Sequence, residues 1–248
     1  MWVLIILVTA FISSAIIIGN TIQQARDFYS DTFRWREHEY SKIAKLSAGI
    51  SSEKVKETLG SPLFVRKSKD GLLTESSFRG RDYWVQTISD SSGTVKLLAV
   101  TACDDDFKPE IQSPVGRIVL NESRFDSTNK TPLAVRYFLS GATANSFFYD
   151  EYNLGNPGFY KTYLIGIDDA CPALANYALD LAHQGQWPFA MQNAYEAAPY
   201  SATDEIVAAF RVNSIVNTYA ETDVFTSAET LLGSFQIGVD RILIRTAR

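Results

Sequence analysis

The sequence predicts an α+β protein: an N-terminal transmembrane helix, a small helix-plus-antiparallel-sheet module, then a second α+β unit with C-terminal helices and strands. Three observations carry this. Residues 2–19 are apolar and uncharged. Pairs of alternating runs flank turn sequences near residues 89–93 and 154–158. The last third spaces its apolar residues at helical intervals.

From Trp2 to Gly19 the polar side chains are Thr9, Ser13 and Ser14, and eleven residues are Val, Leu, Ile or Phe. As a helix this run spans roughly 27 Å, close to a hydrocarbon core of about 30 Å. A cleavable signal would show a basic start, a shorter apolar stretch and a small-x-small site, and Met1-Trp2 supplies no basic side chain, so residues 1–20 are expected to be a single-pass anchor. Residues 21–47 follow without Pro or Gly. They place Ile22, Phe28, Phe33, Trp35, Tyr40 and Ile43 among charges, the pattern of a juxtamembrane amphipathic helix.

The first soluble module is expected over 48–108. Ser51 or Ser52 caps a short helix with Glu53 in its first turn and Val55 and Leu59 on one face, ended by Gly60 and Pro62. Strand-like runs follow at Leu63–Arg66, Ser77–Ile88 and Thr94–Thr101, the last two joined by Ser89–Gly93. An acidic turn and a linker from Pro109 to Pro114 lead to the second unit, 115–248. It opens with a strand at Arg117–Leu120, a short helix at Leu133–Leu139, and a hairpin of Ser146–Asn153 and Phe159–Ile167 around Leu154–Gly158. Asn156-Pro157-Gly158 fixes that turn, since Pro presets φ and Gly accepts a positive one. Helices are predicted at Pro172–His183 and Thr203–Tyr219, the latter carrying Ile206, Ala209, Phe210, Val212 and Val216, and strands at Ser234–Thr246. Both hairpins run into acids, which a degenerate duplication of one sheet module would explain.

The run Gly49-Ile50-Ser51-x-x-x-Val55-x-x-x-Leu59-Gly60-x-Pro62, followed by a Tyr/Trp-bearing strand, an Asp-x-x-Gly turn and a Val-rich strand, resembles the BamE (SmpA/OmlA-type) module of bacterial envelope proteins. The resemblance covers residues 48–101. It implies helices against a three-stranded antiparallel sheet and action by contact in place of catalysis. This chain departs from that pattern in lacking a lipidated cysteine and in its long C-terminal extension. The whole layout also resembles an uncharacterised family of bacterial single-pass membrane proteins.

Composition narrows the function. The formal net charge is −5, with residues 1–100 at +3 and 101–248 at −8, which disfavours binding nucleic acid through its phosphates. The two histidines, His38 and His183, are too few for a multi-histidine metal site or a dense acid–base centre. There is no Gly-x-Ser-x-Gly elbow, phosphate loop, Gly-x-Gly-x-x-Gly or His-Glu-x-x-His, so no cofactor is implied and catalysis is disfavoured. Asp104, Asp105 and Asp106 would face Asp168 and Asp169 if the hairpins lay side by side. That would make a candidate hard-cation site, against the plainer reading of exposed turn acids. Tyr149, Tyr152, Tyr160, Tyr163 and Trp187 are candidate pocket residues, or core. The function expected is a membrane-anchored, non-catalytic interaction or scaffold protein that touches the lipid bilayer and either a protein partner or itself. The alternative is a hydrolase or a small-ligand or cation sensor in the second unit.

Two arguments about sidedness at the inner membrane pull apart. Arg26, Arg34 and Arg36 follow the anchor and no basic residue precedes it, which favours a cytoplasmic soluble part with reduced thiols. The envelope resemblance and an even cysteine pair, Cys103 and Cys171, placed just after the two hairpins as a disulfide would need, favour the periplasm, and of the two sides the cytoplasmic face is the one expected.

Overall fold

The structure, a computed structural model, describes residues 34–138, 147–169, 210–212, 214–224, 226, 231, 235–238 and 240. The chain divides into two compact units, Met1–Ser41 and Lys42–Arg248. In the first, Trp35 opens helix α1 (Trp35–Ile43), with Glu37 in the first turn and the Arg36 guanidinium 5.2 Å from the Trp35 ring centroid.

In the second unit, helix α2 (Ser52–Leu59) is capped as its sequence demands. Ser51 Oγ accepts from the Lys54 N–H at 3.2 Å, Glu53 occupies the first turn, and Val55 is buried. Gly60 ends the helix at φ 88°, ψ −161°, a region open to glycine alone, while its N–H donates to the Lys56 carbonyl at 2.8 Å.

The strands are β1 (Phe64–Lys67), β2 (Leu73–Arg79), β3 (Tyr83–Asp90), β4 (Val95–Ala102), β5 (Glu110–Ser113), β6 (Gly116–Val119), β7 (Ala134–Phe138), β8 (Phe147–Asn156), β9 (Phe159–Asp168) and β10 (Thr218–Thr222). β5 and β6 make a separate hairpin. The other eight form one antiparallel sheet in the order β1-β2-β3-β4-β10-β9-β8-β7. Each half is a four-stranded meander that starts at an outer edge and ends at the centre, where Thr101 of β4 meets Thr218 of β10 and Leu97 meets Thr222. The order is the one that two copies of a single module, set back to back, would produce.

Because side chains alternate along a strand, the register sorts the sheet into two faces. One face carries Ile88, Leu97, Ala99, Ala220, Leu164 and Tyr149, and Leu231, Phe235 and Ile237 pack against it. The other carries Phe148 and Tyr83. Phe148 meets Phe125 edge-on at 5.2 Å and Phe210 at 4.6 Å, and Tyr83 stacks on Phe107 at 4.9 Å.

The fold overturns the expected architecture. In place of two separate helix-bearing modules, the described residues are dominated by one sheet that runs through both of the stretches read as separate units. Among the described residues no helix is long and apolar enough to cross a membrane. The segment 1–20 read as an anchor, and 21–33 of the stretch after it, lie outside the described residues. Locally, Ser77–Ile88 is not one strand, because Gly80–Asp82 turns β2 into β3. The linker Pro109–Pro114 holds β5, whose ladder with β6 absorbs its backbone groups. Leu133–Leu139 is strand β7, zipped to β8 from Ala134↔Glu151 to Phe138↔Phe147. The helix read as far as Tyr219 gives way to β10, with Phe210–Val212 its described helical residues. Pro172–His183 lies outside the described residues, and residues 235–238 are not strand.

Candidate functional site

The acidic runs sit at the ends of β4 and β9. β10 lies between those strands, which are therefore about 10 Å apart, two interstrand spacings. The two runs consequently have different surroundings. Asp104 Oδ1 accepts from the Asp106 N–H at 3.0 Å, and the Asp104 carbonyl accepts from Asn121 Nδ2 at 2.8 Å, which folds Asp104–Asp106 into a tight turn with Asp105 and Asp106 exposed. Asn121 holds this turn from φ 60°, a conformation that asparagine tolerates.

Asp168 and Asp169 are buried. Asn217 donates from Nδ2 to the Asp168 carbonyl at 2.7 Å, and its Oδ1 accepts from the Asp168 N–H at 2.8 Å. Its side chain thus stands in for one more rung of the β9–β10 ladder. The Tyr149 hydroxyl donates to Asp168 Oδ2 at 3.1 Å, and burial first, then Asp168, pushes the phenol well above its ordinary pKa. Gly238, at φ 81°, closes over this carboxylate: a Cβ there would lie 2.2 Å from Asp168 Oδ2. Asp168 is built into the sheet and its covering chain. Among the described residues no group of three or more His, Cys, Asp or Glu is placed to hold a metal ion.

Beside the turn is a cavity of about 310 Å³, with Ile167 and Ile215 as apolar lining, Asn121 and Asn217 contributing amides, and Asp105, Asp106 and Lys108 charged. No hydroxyl or thiol nucleophile is among those residues. The tyrosines do not converge: Tyr149 and Tyr152, three apart on β8, point to opposite faces, Tyr160 is exposed, and Tyr163 is buried. Trp187 and His183 lie outside the described residues. His38 lies in the first unit, on α1.

Two buried charge networks escaped the sequence reading. On one face, Arg66 Nε pairs with Glu75 Oε2 at 2.5 Å, which raises the guanidinium pKa, and Arg66 Nη1 reaches Asp240 at 3.0 Å. Gln86 Nε2 donates to Glu75 Oε1 at 2.6 Å and to the Gln236 carbonyl at 2.8 Å, while its Oε1 accepts from the Gly238 N–H at 2.9 Å. This network pins Gln236, Gly238 and Asp240 onto the sheet. On the other face, Asp150 pairs with Arg211. The available signal was Asp150 at an inward position in the alternation Phe148-Asp150-Tyr152, and Arg211 as the first basic residue after Lys161.

Cys103, just past β4, is disulfide-bonded. The chain's other cysteine, Cys171, lies outside the described residues. No family model, curated protein or solved structure matches the chain.

Proposed function

We propose that the chain is a non-catalytic interaction module that binds an extended, acidic segment of a partner protein along the outer edge of β1, in an oxidising compartment. The observation that carries this reading is the edge itself. β1 is the terminal strand of the described sheet, and Leu63 (48% exposed), Val65 (57%) and Leu72 (63%) run along it and its turn, with Lys67 and Lys69 exposed beside them. An open edge recognises an extended peptide through main-chain hydrogen bonds, with alternate side chains giving specificity. The two lysines disfavour a second copy of the same basic edge and favour acids in the occupant. The resemblance of residues 48–101 to a contact-acting envelope module supports the same reading. The Cys103 disulfide supports an oxidising compartment, since such bonds are rare in the cytosol.

The test is a displayed library of extended peptides screened against the full chain, followed by NMR of the best binder. Selected peptides should be rich in Asp and Glu and should shift amides of β1 and β2. Val65→Asp should weaken binding at least tenfold, and Phe159→Asp, at the far side of the sheet, should not. Selection of uncharged or basic peptides, or shifts confined elsewhere, would overturn the assignment, as would concentration-dependent self-association abolished by Val65→Asp.

The cavity beside Asp105 and Asp106 favours a second reading, a small-ligand sensor, because about 310 Å³ falls at the low end of the range for ligand pockets. A thermal-shift screen of small amines and divalent cations against the full chain tests it, with no shift at millimolar ligand counting against it.

A further inference from the structure

Asp150 lies in the middle of β8, in the layer that holds Phe125, Phe148 and Phe210, and it is completely buried. Its hydrogen bonds are lopsided. Oδ2 accepts from Arg211 Nε at 2.8 Å and from the Tyr152 hydroxyl at 3.2 Å, and Arg211 Nη2 stands 2.7 Å away. Oδ1 is also buried, and among the described residues it has no partner. An ionised carboxylate spreads its charge over both oxygens, so half of this charge is buried with no hydrogen-bond donor among the described residues.

The partner of this carboxylate is on a different kind of element. Arg211 belongs to the short helical stretch Phe210–Val212, from which the chain passes through Val216 and Asn217 into β10. Phe210 anchors the same stretch on Phe148 and Phe125. The Asp150–Arg211 pair therefore fastens the approach to a central strand onto β8, two strands away in the sheet. The Arg211 side chain is 16% exposed, so its guanidinium needs only a short swing to reach water.

Among the described residues the groups facing Asp150 are few. From the 210–212 stretch it meets Arg211. Along β8 it meets Tyr152, whose hydroxyl also lies 3.0 Å from that of Thr128. Directly across, β7 offers Val135 and β9 offers Ile165, neither of which titrates. Glu151 and Arg136, adjacent in sequence and register, pair with each other.

We propose that Asp150 is a proton-operated catch: ionised, it holds Arg211 and the 210–212 stretch against β8, and on taking a proton at Oδ1 it lets the guanidinium go to solvent. Burial pushes the Asp150 carboxyl up to about 6, with Arg211 and Tyr152 opposing that rise, which places the release between pH 7 and pH 5. The step needs only a solvent proton. The helical stretch would then be held by Phe210 and by Arg124 Nη1 at the Val212 carbonyl, while Ile215–Asn217 keep their backbone bonds to 121–124 and β9, so acidification loosens 210–212 while the sheet stays intact.

Hydrogen exchange of the full chain, corrected for the intrinsic pH dependence of exchange, tests this. Protection of the amides of Arg211, Val212 and Ser214 should fall about tenfold between pH 7.5 and pH 5.0, while that of β3, β4 and of Val216 and Asn217, which donate to the Ser123 and Gly166 carbonyls, holds. Asp150→Asn should show the low protection at both pH values. Protection that is flat with pH in the unaltered chain, or an Asp150→Asn variant that keeps the full pH response, would overturn the proposal. Should Asp150→Asn not fold, carboxyl ¹³C titration of the unaltered chain and of Arg211→Gln decides. The Asp150 carboxyl should titrate near pH 6 and rise by at least one pH unit without Arg211, and an Asp150 that titrates below pH 4.5 would end the argument.

Discussion

Thr101 on β4 and Thr218 on β10 face each other across the middle of the sheet, their hydroxyl oxygens 3.1 Å apart and both side chains buried. They mark the seam between the two meanders. Along that seam β4 and β10 pair over five residues, from Thr101↔Thr218 to Leu97↔Thr222, with the same ladder geometry as inside either half. Unfolding one half would strip an entire central ladder from the other, so the unit should unfold in one transition. Ile88→Ala in β3 and Ile165→Ala in β9 each empty a fully buried position, and each should lower the same melting transition by about 2 to 5 kcal/mol. Two separable transitions in calorimetry, one moved by each variant, would show that the halves fold independently.

Gly238 shows how closely the C-terminal segment lies on the sheet. An added Cβ would overlap Asp168 Oδ2 at 2.2 Å, and the backbone sits at φ 81°. The carboxylate cannot retreat without breaking its bond to the Tyr149 hydroxyl. Gly238→Ala should therefore destabilise the fold by about 2 kcal/mol or more, by combined strain and overpacking. Urea denaturation checks it, and an unchanged midpoint would mean that Gly238 leaves the sheet easily.

The hairpins were legible because their signals are local. Tyr83–Ile88 and Val95–Val100 alternate around a turn with an Asp at its start and Gly93 at its end, and the β8–β9 pair closes on Asn156-Pro157-Gly158. β10 was not legible. Its five residues, Thr218–Thr222, follow a helical pattern of apolar residues, and their strand character comes from β4 and β9, each more than 50 residues away. Leu133–Leu139 failed for the related reason that a short apolar run fits helix or strand until a partner chooses. The acids Asp104–Asp106 and Asp168–Asp169 were visible, but the strand inserted between them was not. The Asp150–Arg211 pair spans 61 positions, a separation at which no local pattern points from one residue to the other.

Gly60 tests the boundary between α2 and β1. Nothing lies within 4 Å of an added Cβ there, so packing is not at issue, but φ 88° with ψ −161° is closed to side chains. Gly60→Val should destabilise the unit by more than about 1 kcal/mol through backbone strain alone. Gly60→Ala should lose slightly less, which separates strain from bulk. Equal melting temperatures for all three chains would remove this reason for the glycine.

The Cys103 disulfide makes a prediction about pairing. Cys171 is the other cysteine in the sequence, and a bond between the two would close a loop of nearly 70 residues, worth about 4 kcal/mol in the chain-entropy account. Peptide mapping without reductant should recover the two cysteines linked within one chain, and reduction should lower the unfolding free energy by about that amount. Linked dimers in place of this product would place the bond between chains.

The last prediction concerns pH and follows from Asp150 alone. An unfolded Asp titrates near 3.9, whereas burial carries the folded carboxyl to about 6. Between those values the folded chain holds a proton that the unfolded chain has lost. Stability from this group is therefore complete below about pH 4 and is lost as pH rises through 6. The gap of about two pH units, at about 1.4 kcal/mol each, makes the full change about 3 kcal/mol. Asp150→Asn removes the titration and leaves Arg211 with a weaker partner at every pH, so it shifts the stability curve without this slope. Urea unfolding at pH 4.0, 5.5 and 7.5 should show the unaltered chain losing about 3 kcal/mol relative to the variant across that range. The same acidification should loosen residues 210–212. Stability that rises relative to the Asp150→Asn variant while one segment loses protection separates a buried carboxyl releasing its arginine from ordinary acid unfolding, in which both fall together. A difference between the two chains that is constant with pH would mean that Asp150 stays ionised throughout and that Arg211 fully offsets its burial.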